Sequence, residues 1–68
     1  MKEVKIVTEY ITLGQLIKLL GLVESGAMVK IFVQEENISV NDEKEARRGR
    51  KLYPNDVVCI KDKEYIIK

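Results

Sequence analysis

Histidine and tryptophan are absent from this sequence, and cysteine occurs once, at Cys59, in a chain of 68 residues. These gaps close off much chemistry. A zinc site draws chiefly on Cys and His, so one thiol and no imidazole leave it without its usual ligands. A Cys/His nucleophile pair is excluded on the same ground. A lone cysteine cannot form an internal disulfide, which fits a reducing compartment, and Cys59 reads as a small apolar strand residue. There is no Gly-rich phosphate loop of the nucleotide-binding kinds. No apolar run approaches the roughly 20 residues of a membrane span. The segment MKEVKIVTEY alternates apolar with charged residues, unlike the apolar block of a secretory signal. Glu35, Glu36, Asp42, Glu43 and Asp56 fall on loops and helix ends and read as solvated or turn residues, not as an acid–base pair. The expectation is a cytoplasmic, non-catalytic protein with no cofactor, no metal, no small-molecule substrate and no membrane partner.

What the chain does contain is compatible with one small domain, residues 1–68. A chain of this size buries only about 60% of the surface its unfolded form exposes, so the core rests on a few Leu, Ile and Val positions. EVKIVT, residues 3–8, alternates as a short strand. Leu13, Leu16, Ile17 and Leu20 then form a helical stripe over 13–20. Thr12 is its cap, Gln15 stands at the capping-box position, and Gly21 with Leu22 forms the stop. Ser25 caps a second helix, in which Ala27, Met28, Ile31 and Phe32 form an apolar stripe with Val29 and Val33 beside it. Asn37 is the expected left-handed end of that helix.

Beyond residue 37 the pattern is β. ISV alternates, Asn41-Asp42 is a turn, a short strand is expected near 45–48, and Pro54-Asn55 is a second turn. VVCIK (57–61) and EYIIK (64–68) form a hairpin about Asp62-Lys63. The order β-α-α-β-β-β-β describes an α+β fold with two helices packed on one side of a small curved antiparallel sheet.

Charge is sorted along the chain. Lys44, Arg47, Arg48, Arg50 and Lys51 oppose Glu45 alone, so residues 44–51 carry +4 and the rest of the chain −3, for a total of +1. A clustered Lys/Arg stretch is an electrostatic footprint of nucleic-acid binding. Arginine suits that role because its planar fork pairs with phosphate and stacks on bases. Four such contacts give a log–log salt slope of roughly −3. A solvated loop with ordinary surface ion pairs has the same composition, and the residues alone leave both open. Lys30 lies about one turn beyond Ser25-Gly26, a helix start whose free amides can receive a phosphate, and it fits an exposed helix position equally well. Lys18 reads as an exposed helix lysine. Tyr53, directly after the basic run, can stack on a base or pack at a strand edge.

GLVESGAMVKIFVQEENISVND resembles the core of the S-four RNA-binding domain, the alpha-L motif named after a small-subunit ribosomal protein. That family reads helix, Gly-Leu, a Ser that starts a second helix, then a Val-x-Val-Asn strand and turn. A Gly/Asn-Asp pair precedes the closing strand, here Asn55-Asp56 before Val57. The likeness covers residues 11–60, and SGAMVK and RRGRKLYPND are closest to the small stand-alone, YaaA-like members. The resemblance implies binding of structured RNA, ribosomal or transfer RNA, through the second helix and the following β-loop, with a place in translation or ribosome assembly and contact with ribosome particles. Carried over by position it names Ser25, Gly26 and Lys30, then Asn41, then Arg47, Arg48, Arg50 and Lys51. Many members begin helix one with a basic residue and have Arg after the capping Ser, where this chain has ITLGQ and Gly26. That shifts binding toward residues 47–51. Two other readings use the same loop: a protein-interaction module with an acidic partner, and DNA binding, since phosphate contacts alone do not distinguish the nucleic acids. A sulfur-carrier reading would require a Gly-Gly tail, and the sequence given ends Ile66-Ile67-Lys68.

Overall fold

A computed structural model describes all of residues 1–68. Elements are numbered in chain order. A five-stranded sheet has the order β1 (Lys2–Val4), β7 (Lys63–Ile67), β6 (Val57–Ile60), β3 (Ile38–Val40) and β4 (Glu43–Lys44). Its pairings are antiparallel except β1 with β7, which run parallel with Val4 opposite Ile67, so the sheet is mixed. The first strand spans 2–4 and not the whole of 3–8. A separate antiparallel ribbon, absent from the sequence expectation, joins β2 (Ile11–Thr12) to β5 (Lys51–Leu52).

Alternation decides the faces of the sheet. Ile38, Val40, Val58, Ile60, Tyr65 and Ile67 turn inward and are buried, while Ser39, Cys59 and Ile66 are half-buried on the other side. Cys59 is therefore an outer-face residue opposite Ser39. The inward residues meet Leu13, Leu16 and Ile17 of helix α1 (Leu13–Leu19) and Val29 and Val33 of helix α2 (Gly26–Glu35) in one core cluster.

Helix α1 forms as its sequence directs. The Gln15 amide donates to the Thr12 hydroxyl at 3.2 Å, and the Thr12 amide donates to the Gln15 side-chain carbonyl at 2.8 Å, the reciprocal capping box. At the other end Gly21 takes φ +72°. The Leu22 amide then reaches the Ile17 carbonyl (3.2 Å) and the Gly21 amide the Lys18 carbonyl (3.0 Å), a Schellman closure.

Helix α2 departs from expectation in two ways. Val29 and Val33 are its buried row, whereas Met28 and Ile31 of the expected core stripe are exposed and Phe32 is half-buried. The helix rests chiefly on α1, and a two-helix contact buries one i, i+4 row. The small Val side chains allow the close approach that Met28 and Ile31 would block. Nor is Asn37 a left-handed stop. Glu36 leaves the helix extended (φ −89°, ψ 155°), and the Asn37 carbonyl accepts from the Lys61 amide at 3.1 Å.

Two β boundaries also move. The last hairpin turns at Lys61-Asp62, with φ +51° and +69°, one residue earlier than expected. This is the two-residue turn whose twist matches the strands, and Lys61 takes a position usually filled by Asn or Gly. The strand expected at 45–48 is instead β4 at 43–44, because the amides of Ala46 and Arg47 bond to the Glu45 carboxylate and leave the sheet.

The segment after β4 is fixed by α1. The Leu13 amide donates to the Arg50 carbonyl and the Gly14 amide to the Arg48 carbonyl, each at 2.8 Å. Gly14 has to lack a side chain for this. A Cβ there would stand 3.1 Å from Val29 Cγ1 and 3.3 Å from the Arg48 carbonyl oxygen. Alanine at 14 gains about 1 kcal/mol of helix propensity, but overpacking against a bonded carbonyl costs about 1–3 kcal/mol. Gly14→Ala is expected to lower the urea-unfolding free energy by about 1 kcal/mol and to speed exchange of the residue-14 amide. A stabilised variant would show that the loop is not held this closely.

Candidate nucleic-acid interface

The basic loop is organised around an acid. Glu45 is 6% exposed and its backbone amide makes the last sheet bond, to the Ile38 carbonyl at 2.9 Å. Its Oε2 accepts from the amides of Ala46 (3.2 Å) and Arg47 (3.0 Å) and from Arg47 Nε (2.9 Å). Its Oε1 accepts from Arg47 Nη2 (3.1 Å) and Arg50 Nη1 (2.9 Å). The hydrogen bond from the Arg47 side chain, helped by that from Arg50 and by the Arg47 amide, outweighs burial and holds the carboxyl at about 2. The same bond drives Arg47 further into its charged form. In sequence Glu45 is merely a negative charge to subtract. The signal for its role is an acid followed by Arg at the second and fifth positions after it.

The Arg50 amide returns to the Arg47 carbonyl at 3.2 Å, so Arg48 and Gly49 stand at the corners of a tight turn. Gly49 has no positive φ, and a Cβ there would meet nothing within 4 Å. Nothing in the turn itself requires glycine, and its missing side chain leaves the adjoining surface open. Arg47 and Arg50 are ion-paired to Glu45, whereas Arg48 and Lys51 take part in no salt bridge. Pairing does not hide Arg47, whose side chain remains 76% exposed against 30% for Arg50.

On one flank of the turn an open hollow is lined by Gln15 and Lys18 of α1, Gly26 at the start of α2, and Arg48 and Gly49 of the loop. Lys18 Nζ is 3.8 Å from where a Cβ on Gly26 would stand. Ser25 holds the cap position, but its side chain makes no capping bond, and the first turn of α2 carries no acid. Lys30 lies one turn beyond Gly26, on the same side of the helix, exposed and without an ion pair. Of the residues expected to act together, the structure gathers Gly26 and Arg48 in this hollow, with Ser25 and Lys30 adjoining. Lys18 joins them although its local sequence gives no sign of it. Packing of α1 on α2 creates that neighbourhood, and no spacing rule along the chain reports it.

The other flank is lined by Arg47, Gly49, Arg50, Lys51 and Tyr53. The β2–β5 register pairs Ile11 with Leu52 and Thr12 with Lys51, which sets Tyr10 opposite Tyr53. Ring centroids are 5.7 Å apart at 46°, and Lys51 Nζ sits 5.0 Å from the Tyr10 centroid, within cation–π range. Tyr53 thus packs at the strand edge against a second tyrosine.

Asn41 is engaged elsewhere. It occupies the β3–β4 turn at φ +52°. Its Nδ2 donates to Asp56 Oδ1 (3.1 Å) and its Oδ1 accepts from the Val57 amide (3.0 Å). Asp56 Oδ2 in turn accepts from the Tyr53 amide at 2.8 Å. Asn41 ties the two turns together and lines neither hollow.

Comparison with known proteins adds two findings. A family model described as S4 domain matches residues 4–68, a longer span than the 11–60 expected from the motifs. A curated protein of Bacillus subtilis (strain 168), "Probable ribosome maturation protein RlbA", is 54% identical over 57 residues, which are 84% of this chain and 80% of that protein.

Glu45 makes the fold acid-sensitive in a defined window. Its folded pKa of about 2 lies below the ordinary 4.5. Its contribution is therefore complete above about 4.5 and is lost as pH falls toward 2. Glu45→Gln is expected to cost about 1–3 kcal/mol at neutral pH, and the urea midpoints of wild type and variant are expected to converge as pH falls through that window. Parallel profiles would remove Glu45 as the loop's anchor.

Proposed function

The chain belongs to the S4 domain family, and from that premise we propose that it is a non-catalytic RNA-binding protein that docks on structured RNA, ribosomal or transfer RNA. The observation that carries the reading is the convergence of Arg48, Lys18 and the uncapped start of α2 on one open hollow. The first two are cations without a partner in the chain. Phosphate is the complementary ligand: a helix start offers amides, and two unpaired cations offer charge. Lys30 extends this surface along α2, and Arg47, Arg50 and Lys51 extend it past the turn. Such contacts position a backbone without reading bases. Selectivity then comes from shape, since the A-form major groove is closed to side chains. The ribosome-maturation name of the Bacillus relative supports a role in ribosome assembly, on ribosomal particles in the cytoplasm.

Arg47 is a poor residue for testing this, because its removal also breaks Glu45's strongest bonds. Lys18→Ala/Arg48→Ala removes two unpaired cations and leaves Glu45 and the core untouched. Affinity for a structured RNA is expected to fall roughly tenfold per cation, and the salt slope to lose about two, with urea stability unchanged. Cross-linking and sequencing of bound RNA in cells, with this variant as control, should enrich a ribosomal or transfer RNA region that the variant loses. Protein that sediments away from ribosomal particles and enriches no RNA would overturn the proposal. Tighter binding to a matched DNA duplex would redirect it to DNA.

A further inference from the structure

Two of the three tyrosines lie outside the core. Tyr65 is buried, but neither Tyr10 nor Tyr53 belongs to the core cluster. They are 36% and 42% exposed and lie side by side at the end of the β2–β5 ribbon. Ile11 and Leu52 take the inward positions of that ribbon, so alternation turns Tyr10, Thr12, Lys51 and Tyr53 to its outer face. Core packing does not account for two aromatic rings in this place. The tilt of 46° keeps the rings from covering one another. Lys51 takes one face of Tyr10, and Tyr53, still partly exposed, lines the hollow that Arg47, Arg50 and Lys51 also line.

An aromatic face bordered by three cations has the chemistry of a nucleotide site: ring for base, charge for phosphate. We infer that Tyr53 is a stacking platform for one unpaired nucleobase of the bound RNA, with Tyr10 as the positioning residue behind it and Lys51, Arg47 and Arg50 facing the flanking phosphates. The inference rests on the RNA reading above and narrows its ligand to a helix interrupted by an unpaired base, or one that ends in an overhang. Base pairing in a continuous duplex keeps ring faces stacked on one another and unavailable to a protein, so only an extruded or terminal base can use Tyr53. Glu9, which lines a neighbouring groove with Tyr10, disfavours phosphate there.

The two flanks of the loop thereby divide the work. Lys18, Arg48 and the start of α2 take a continuous backbone, and the Tyr53 side takes the point where pairing stops.

The test uses the full chain and three short RNAs at low salt. One is a fully paired hairpin, one carries a single 2-aminopurine bulge, and one carries 2-aminopurine in a 3′ overhang. Wild type is expected to bind at least one unpaired-base RNA about tenfold more tightly than the paired one, with 2-aminopurine emission quenched on binding. Tyr53→Phe should keep both the preference and the quenching. Tyr53→Leu should lose both and keep wild-type affinity for the paired hairpin, which also shows that it is folded. Equal wild-type binding of all three RNAs, or a preference that survives in Tyr53→Leu, would overturn the stacking site and leave the RNA reading standing. A Tyr53→Leu variant weakened equally toward every RNA would make the ring a structural support and overturn the inference as well. Wild type that binds none of the three would count against the RNA reading itself and take the stacking site with it.

Discussion

Everything on the candidate surface depends on two hydrogen bonds at the start of α1, where the amides of Leu13 and Gly14 hold the carbonyls of Arg50 and Arg48. A helix start leaves amides without partners and carries partial positive charge. It is an unfavourable neighbour for an arginine-rich segment, and the fold resolves this by presenting the segment's carbonyls to the helix. Arg47 and Arg50 turn their guanidinium groups to Glu45, and Arg48 lines the hollow between the helices. Gly14 sets how near the loop can come, and the capping box uses Thr12 and Gln15 to satisfy the next amide. The capping of one short helix and the shape of the basic loop are therefore the same piece of structure.

Glu45 supplies the other half of that constraint. Five cations within eight residues repel one another, and an unsupported loop of this composition would spread out. The buried carboxylate takes two of them as partners and bonds two backbone amides as well. The cations thus fall into two kinds. Arg47 and Arg50 are held in place, and together with Glu45 they contribute a net +1. Arg48, Lys51, Lys18 and Lys30 are unpaired and supply most of the field that a polyanion would feel. Arginine can be both anchor and contact, because a guanidinium has five N–H donors and Arg47 spends two on Glu45. A lysine in its place would lack the fixed fork that meets both carboxylate oxygens.

Local signals were legible in the sequence where short-range chemistry decides the structure. Thr12, Gln15 and Gly21 marked α1 closely, and Asn41-Asp42 and Pro54-Asn55 marked turns that do form, with φ of +52°, +69° and +80° at Asn41, Asp42 and Asn55. The α+β class followed from the change of period. The sequence failed where one element selects what another can do. Met28 and Ile31 satisfied a helical stripe as well as Val29 and Val33 did, and only the closeness of α1 at Gly14 chose between them. The β2–β5 ribbon has two residues per strand, too short for any period, and the strand expected at 45–48 was lost to a side chain bonding its own backbone. Within the site, the run Arg47–Lys51 was visible from composition alone. Lys18 and Tyr10 were not, because each reaches the loop through tertiary pairing.

Asn41 and Tyr53 are held by that pairing in different ways. Both flank the loop, and both have polar side chains exposed to solvent. Asn41 has its amide oxygen bonded by Val57 and its nitrogen bonded to Asp56, a bridge between two turns that fixes the side chain and leaves one N–H and one lone pair over. Tyr53 is held through its backbone, by Asp56, and its ring packs on Tyr10 while staying partly exposed. The Asn41–Asp56–Tyr53 chain of bonds therefore runs from the β3–β4 turn to the backbone that carries the Tyr53 ring. Asn41 fixes Asp56, Asp56 fixes the Tyr53 backbone, and the position of the ring beside Lys51 follows. On this argument the Asn-Asp features of the family pattern act through the placement of the loop's far edge.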